Sequence, residues 1–271
     1  MYWRCPVCHS PLKLENTTYR CANGHTHDQA KEGYVNLLLA HQKKSLDPGD
    51  NKAMLLSRRL FLEQGHYQPL ADALAQYITE LTASRPQVLL DIGCGEGYYL
   101  NHIAQANPAL SIWGIDIARD AARLAAKRLP TLHFAVASSA HLPVADESAD
   151  IITTVFAPIS EAEITRVLKP QGSWLWVRPG TKHLYQLRDL IYTQARLHST
   201  DLKLPDTLQL LSTHPIQYSL NLNNSSSIAA LLAMTPYYWS ASLETQERIN
   251  QLNQLTIQID FQILQLKKLN T

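Results

Sequence analysis

The sequence predicts a doubly wound α/β fold with a small metal-clipped module in front of it. Three observations carry this expectation. From Gln87 onward, short apolar runs alternate with amphipathic segments, the pattern of parallel strands joined by helical crossovers. A glycine-rich turn, "GCGEG", directly follows the first of those runs. Near the start, Cys5, Cys8, Cys21 and His25 stand in two close pairs, a spacing that suits one tetrahedral zinc ion.

The bulk numbers agree with a globular chain. Of 271 residues, 45% are hydrophobic and 17% charged, enough for a sizeable core in one large or two unequal domains. The formal net charge is +1, so no global field advertises a polyanion partner. Residues 1–60 carry 9 Lys+Arg against 5 Asp+Glu, a balance of +4; residues 61–271 carry 15 against 18, or −3. A basic front on a near-neutral body fits either a solvated surface or a module facing nucleic acid. Four Cys, three of them in the opening stretch, leave no even-numbered disulfide framework. No secretory apolar segment follows Met1, so a reducing, cytoplasmic setting is expected. The longest apolar runs, such as "IITTVFAPI", are too short to span a bilayer.

The clip reads C-x2-C-x12-C-x3-H. Two Cys separated by two residues form a knuckle that offers two thiolates to one metal, and four protein ligands leave no open position for water. The site is therefore expected to be structural, with His9 and His27 as competing ligands. Beyond it, "YVNLLL" reads as a short strand or a helix start, and "HQKKSLDPGDN" as a loop. "NKAMLLSRRLFLEQG" has helical spacing that stops at Gly65. "HYQPLADALAQYITELTAS" repeats Leu70, Leu74, Tyr77, Ile78 and Leu81 on one helical face, with Pro69 in its first turn. "QVLLDI", "SIWGIDI", "LHFAVA", "ADIITTVFA" and "GSWLWVRP" follow as strands, alternating with helical "GYYLNHIAQAN", "ARDAARLAAKRL" and "ISEAEITRVLK". A long helix is expected over "TKHLYQLRDLIYTQARLH", then a strand at "PIQYSLNL" and a Ser-capped helix at "SSSIAALLAM". The last segment alternates Ile257, Ile259, Phe261 and Ile263 at period two, a final strand.

The glycine turn carries the chemistry. Gly93, Gly95 and Gly97 bring backbone N–H groups close to a ligand without side chains in the way, at the carboxyl end of a strand where doubly wound sheets bind ligands. The order G-x-G-x-G departs from the dinucleotide pattern G-x-G-x-x-G, with Tyr98 at its third glycine position. Asp91 precedes the loop, and Asp116 closes the second strand 25 residues later, where a carboxylate can accept from two ribose hydroxyls. Cys94, inside the loop, reads as a small filler.

"LLDIGCGEGYY", "GIDI" and "LPVADESAD" resemble the successive motifs of class I S-adenosylmethionine-dependent methyltransferases over about residues 85–180. That likeness implies a seven-stranded, mainly parallel Rossmann-like sheet with a final reversed strand. Together with the front clip, "AKEGYVNLL", "DPGD", "GHYQPL" and "DIGCGEGYY" resemble the bacterial 23S ribosomal RNA guanine-N1 methyltransferases over nearly the whole length. The resemblance implies methylation of guanine N1 in a 23S RNA hairpin, a zinc-ribbon-like RNA-recognition module, and a homodimer, with no DNA or membrane partner. It puts structural Zn²⁺ on Cys5, Cys8, Cys21 and His25, and S-adenosylmethionine on Tyr67, Gly95, Glu96 and His183. The expected organisation is 1–36 for the zinc module, 37–84 for a linker and helical segment, and 85–271 for the methyltransferase domain.

Guanine N1 is a poor nucleophile until its proton leaves, and a positioned base or donors to O6 would help. Asp146, Asp150 and His183 are base candidates by position. Phe156 is a candidate to stack on the target base. Lys31, Lys43, Lys44, Arg58 and Arg59 are candidates for phosphate contacts. "TVFAPIS" has neither the Asn/Asp-Pro-Pro-aromatic run of exocyclic-amine methylases nor the Pro-Cys of C5 methylases. Two other readings stay open: a small-molecule methyltransferase, of quinone type for example, with a purely structural clip, and a non-catalytic zinc-ribbon RNA-binding protein.

Overall fold

The computed structural model describes residues 1–43, 48–82, 87–199 and 201–269. The front module is a three-stranded antiparallel sheet of β1 (Leu12–Glu15), β2 (Thr18–Cys21) and β3 (Thr26–Asp28). Asn16, at φ 57°, takes the left-handed turn between the first two, a conformation Asn tolerates. The chain then forms β4 (Tyr34–Asn36), α1 (Lys52–Glu63) and α2 (Gln68–Thr82). Asn51 caps α1 by accepting from the Met54 amide at 3.0 Å.

The β/α alternation runs as expected: β5 (Val88–Ile92), α3 (Tyr98–Ala106), β6 (Ser111–Asp116), α4 (Arg119–Arg128), β7 (His133–Val136), β8 (Ala149–Val155), α5 (Glu161–Val167) and β9 (Leu168–Pro179). After these come α6 (Tyr185–Ile191), β10 (Leu208–Leu222), α7 (Ser225–Ala233), α8 (Tyr237–Ser240), α9 (Leu243–Asn250) and β11 (Leu255–Lys268). The main sheet has the order β10-β11-β9-β8-β5-β6-β7-β4. Strand β11 runs antiparallel to both neighbours, which is the final reversed strand that the methyltransferase resemblance implied.

Three details correct the sequence reading. The sheet has eight strands, because β4 pairs in parallel with β7 from Tyr34↔Phe134 to Asn36↔Val136. It satisfies the backbone groups that an edge would leave unpaired. The long helix expected after the fifth strand stops at Ile191. The chain there doubles back: the Arg196 carbonyl accepts from Arg188 and the Thr181 carbonyl from the His198 amide. Helix α7 is capped by Asn224, whose side chain accepts from the Ser227 amide at 2.8 Å, and not by a serine.

Successive residues of β5 point to opposite faces, and a core forms on each. Leu89 joins Phe61, Leu74, Ile78, Ile103 and Phe261. Leu90 joins Trp113, Val144 and Trp174 together with Trp3, Leu12 and Tyr19 of the front module. The module is thus built into the second core. The Arg4 amide donates to the Pro143 carbonyl at 2.7 Å, and the Trp3 ring meets Trp113 edge-on at 4.6 Å. Among the described residues, no helix is long and apolar enough to cross a membrane.

Candidate active site and zinc cluster

Sulfur and nitrogen atoms of the clip converge. The ligand atoms of Cys5, Cys8, Cys21 and His25 all lie within 4.8 Å of one another. Cys8 Sγ stands 3.7 Å from Cys21 Sγ, and His25 Nδ1 stands 3.4 and 3.6 Å from the Cys21 and Cys5 sulfurs. A tetrahedral ion with Zn–S bonds of about 2.3 Å sets its ligands roughly 3.8 Å apart, so the set fits one closed, structural Zn²⁺. His27 places Nε2 at 3.9 Å from Cys5 Sγ, beside the cluster, where an imidazole N–H can donate to a thiolate.

A cavity of about 900 Å³ opens at the carboxyl ends of β5, β6, β8 and β9. One end is built by the glycine loop. The amides of Gly93 and Cys94 both donate to the Ile115 carbonyl, at 2.8 and 3.0 Å, which pins the turn to the end of β6. Gly93 has φ +77°, and a Cβ there would stand 2.3 Å from the Ala157 Cβ. Gly95, at φ +57°, would meet nothing within 4 Å. Gly93 is therefore required by packing between two strand ends, while Gly95 leaves a bare backbone facing the cavity.

Carboxylates line this end. Asp116 accepts from the Gly95 and Ala118 amides, each at 2.8 Å. Asp91, 3% exposed, accepts from the Thr153 hydroxyl at 2.7 Å. Burial pushes its carboxyl up to about 7, so a ligand ammonium here would draw it back to the charged form. The donor set suits S-adenosylmethionine: Asp116 for ribose hydroxyls, Asp91 for the amino group, and the Gly95 cradle for close approach. Glu96 also faces the cavity, but its carboxylate is held by Arg59 at 2.6 Å and Arg128 at 3.4 Å. Gly97 caps α3. The Cys94 thiol is buried and pushed well above its ordinary value by burial, which suits a filler and not a nucleophile.

The other end is aromatic. Tyr67 is 4% exposed and packs edge-on against Phe61 and Phe261, at 5.1 and 4.8 Å. His183 lies near Tyr67 and Phe261, and its Nδ1 accepts from the Asp260 amide at 3.4 Å. Burial, then His198 and Arg188, pull His183 down to about 3, so it is neutral and only weakly basic at neutral pH. Phe156 follows β8 with φ +54°, a left-handed conformation that costs a bulky side chain roughly 1–2 kcal/mol. Its ring is 43% exposed and nearly parallel to that of His183, at 14° and 6.1 Å. His198 Nε2 meets the Tyr237 hydroxyl at 3.2 Å beside them.

Of the residues singled out in the sequence, Tyr67, Asp91, Gly93, Gly95, Glu96, Asp116, Phe156 and His183 are brought to one cavity. Gly97, Asp146 and Asp150 are not among the residues that line it. Asp146 pairs with Arg4 and Arg166 at 3.0 and 2.7 Å on the surface beside the zinc module. Asp150, at the opposite end of the sheet, accepts from the Val88 amide and pairs with Lys169 at 2.8 Å. Arg58 lines the cavity and pairs with Asp50, and Arg59 pairs with Glu96. Lys31 and Lys43 are exposed, and Lys44 lies outside the described residues. Sequence reading missed His198 and Tyr237: neither belongs to a motif, and only the doubled-back segment and α8 deliver them to the cavity.

Residues 3–46 match a zinc-ribbon family described as "RlmA, N-terminal", and residues 89–172 match a methyltransferase domain. The chain is 32% identical over 275 residues to a 23S rRNA (guanine(748)-N(1))-methyltransferase of Streptomyces fradiae, covering 97% of this chain and 96% of the other. It is 31% identical to a putative 23S rRNA (guanine-N(1)-)-methyltransferase of Bacillus subtilis, covering 97% and 95%. It is 32% identical to a like-named putative protein of Micromonospora griseorubida, covering 87% and 86%. A zinc ribbon fused to a methyltransferase sheet, with likeness from end to end, makes this chain a member of the 23S rRNA (guanine-N1)-methyltransferase family.

Proposed function

We propose that this protein transfers the methyl group of S-adenosylmethionine to N1 of a guanine in a hairpin of 23S ribosomal RNA, in the cytoplasm and as a homodimer. The observation that carries the reading is the two-ended cavity. An acid-bearing, glycine-lined end suits the cofactor, and an open aromatic end suits a planar base turned out of its stack. When bound, the cofactor supplies an electrophilic methyl carbon, and the residues around it align the attacking nitrogen and exclude water. Asp91 and Asp116 orient the cofactor, and Phe156 offers a face to the guanine. Asp146 and Asp150 do not line the cavity and are engaged by Arg4 and Arg166 and by Lys169, so we assign neither as a base. Exposed Lys13 and Lys31 on the zinc module suit RNA phosphates.

The test is methyl transfer to a 23S hairpin fragment, with the product mapped by mass and reverse-transcription stop. Methylation at guanine N1 is expected; methylation of a quinone-like small molecule with none on RNA would replace the reading. Replacing Lys13 and Lys31 by Glu is expected to weaken hairpin binding about tenfold and flatten its salt dependence. This is a better test of the front module than deletion, because Trp3 and β4 belong to the core and sheet of the methyltransferase. Equal binding by that variant would remove the zinc module from RNA recognition. Sedimentation of the protein at micromolar concentration tests the dimer.

A further inference from the structure

Arg188 lacks the partners a buried charge requires. It lies on α6 and is 6% exposed. Its Nη1 donates to the Arg196 carbonyl, and its Cζ lies 5.9 Å from the Tyr185 ring centroid. Its Nε and Nη2 are buried without a hydrogen-bond partner. Among the described residues, no carboxylate reaches it within ion-pair distance. A buried guanidinium normally has such a partner, because desolvating an unpaired charge costs several kcal/mol. Where the protein supplies no counter-charge, a ligand that becomes negative can.

The surroundings locate that ligand. His183 and His198, which flank α6 in sequence, both line the cavity's aromatic end, as does Tyr237 of α8. Burial is the main influence on all three: it lowers the two imidazoles, in the same direction as the Arg188 charge, and raises the Tyr237 phenol, which the Arg188 charge only partly offsets. The other ionisable groups near this end include Tyr67, Tyr185, Tyr192, Asp260 and Arg248 of α9, which donates to the Leu190 carbonyl of α6 at 2.6 Å. Tyr192 meets Tyr237 edge-on at 6.4 Å. The Asp260 carboxylate is already engaged by the Lys182 amide at 2.9 Å and Gln217 Nε2 at 3.0 Å. The Asp260 charge also acts here, but at His198 its effect is smaller than that of Arg188, so the imidazoles are held towards the neutral form and the balance disfavours positive charge.

We infer that Arg188 is a positioning residue that acts through the His198–Tyr237 pair to acidify the N1–H of the guanine held against Phe156, so that N1 deprotonates without a carboxylate base. The inference rests on the function proposed above. In the step, the N1 proton leaves to water and the negative charge spreads to O6, for which the Tyr237 hydroxyl, lining this end of the cavity, would serve as donor. The N1 electron pair forms the N–C bond as the C–S bond breaks, and its electrons remain on sulfur as a neutral thioether. A unit charge roughly 10 Å from a titrating group, at an effective dielectric constant of about 20, moves that group by roughly one pH unit.

The test uses the full-length protein, its product thioether S-adenosylhomocysteine, and a 23S hairpin with 6-thioguanine at the target position. The near-ultraviolet band of thioguanine moves when N1 loses its proton, so the acidity of the bound base is read without turnover. In the wild type, deprotonation is expected roughly one pH unit below that of the free hairpin. Arg188→Met is expected to remove the shift and Arg188→Lys to keep much of it. Replacing an unpaired buried charge by an apolar isostere tends to preserve folding, and circular dichroism checks this. With the ordinary hairpin, Arg188→Met is expected to lose about tenfold in rate near neutral pH and to recover at alkaline pH. An unchanged shift in Arg188→Met, or a loss of rate equal at every pH, overturns the inference. So does weaker hairpin binding without a change in base acidity, which would assign the guanidinium to a backbone phosphate. No guanine methylation by the wild type would instead overturn the proposed function.

Discussion

The two ends of the cavity are built on opposite principles. The glycine-loop end is acidic and rigid: Asp91 and Asp116 are fixed by Thr153 and by backbone amides, and Glu96 by two arginines. The far end is aromatic, with Phe156, His183 and the His198–Tyr237 pair lining it and the Arg188 guanidinium buried behind them. The first end matches a cofactor of fixed shape that carries an ammonium and a ribose. The second matches a flat base that must lose a proton. The difference teaches that one cavity can present an acid-bearing face to one ligand and an aromatic face to another, because the two ends are built from different segments of the chain.

Gly93 joins the two ends, because it packs against Ala157, the neighbour of Phe156. Gly93→Val is expected to have the largest effect. Its Cβ has no room and its φ is positive, so a loss of roughly 3 kcal/mol or more is expected, together with both binding functions. Thermal unfolding and calorimetry check this, and a stable variant that still binds both ligands would show the ends to be independent of the loop. Asp116→Ala separates them. It should weaken S-adenosylmethionine by about 100-fold, as for loss of a buried charged hydrogen-bond partner, and leave hairpin affinity within about twofold. Calorimetry against each ligand sharpens or breaks the division.

Phe156→Gly is the mirror case. Cofactor affinity should hold, methyl transfer should fall about tenfold or more from loss of a stacking face worth roughly 1–3 kcal/mol, and stability should change little as relief of φ strain offsets lost packing. Asp91 gives a pH signature. Its carboxyl is raised by burial to about 7 from an ordinary value of 3.8, so between these pH values the folded, ligand-free protein binds more protons than the unfolded chain. Its contribution is then fully present below about pH 4 and is lost as pH rises towards 7. Asp91→Asn should flatten that part of the stability profile, measured by unfolding at fixed pH steps. The smallest effect at the cavity is expected from Cys5→Ser. It should release zinc and loosen the front sheet, with cofactor affinity changed by less than about threefold, as metal analysis and calorimetry would show.

The acid end was legible because it is local in sequence. Asp91, the three glycines and Asp116 fall within one β-α-β unit, and backbone hydrogen bonding forces them together wherever that unit forms. The metal clip was legible for the same reason, since knuckle spacing alone aligns two ligands. The far end draws on residues 156, 183, 188, 198 and 237, from four separate segments with no shared motif. Proximity in sequence misled where charge was concerned: Asp146 and Asp150 sit in a motif-like run, yet one serves the zinc module's anchor through Arg4 and Arg166 and the other the far end of the sheet.

What the sequence determined by itself was everything governed by period and spacing: the alternating strands and helices, the existence of a last strand, the spacing of the zinc ligands and the glycine loop; the reversed direction of that strand followed from the family resemblance. Only the tertiary structure decided that β4 extends the sheet, that Trp3 locks the zinc module into the methyltransferase core, and that the chain after Ile191 doubles back. Those outcomes depend on long-range packing and on where unpaired backbone groups find partners, and neither is written in local periodicity. The same doubling back holds a lone arginine charge behind the aromatic chamber, where no motif announces it.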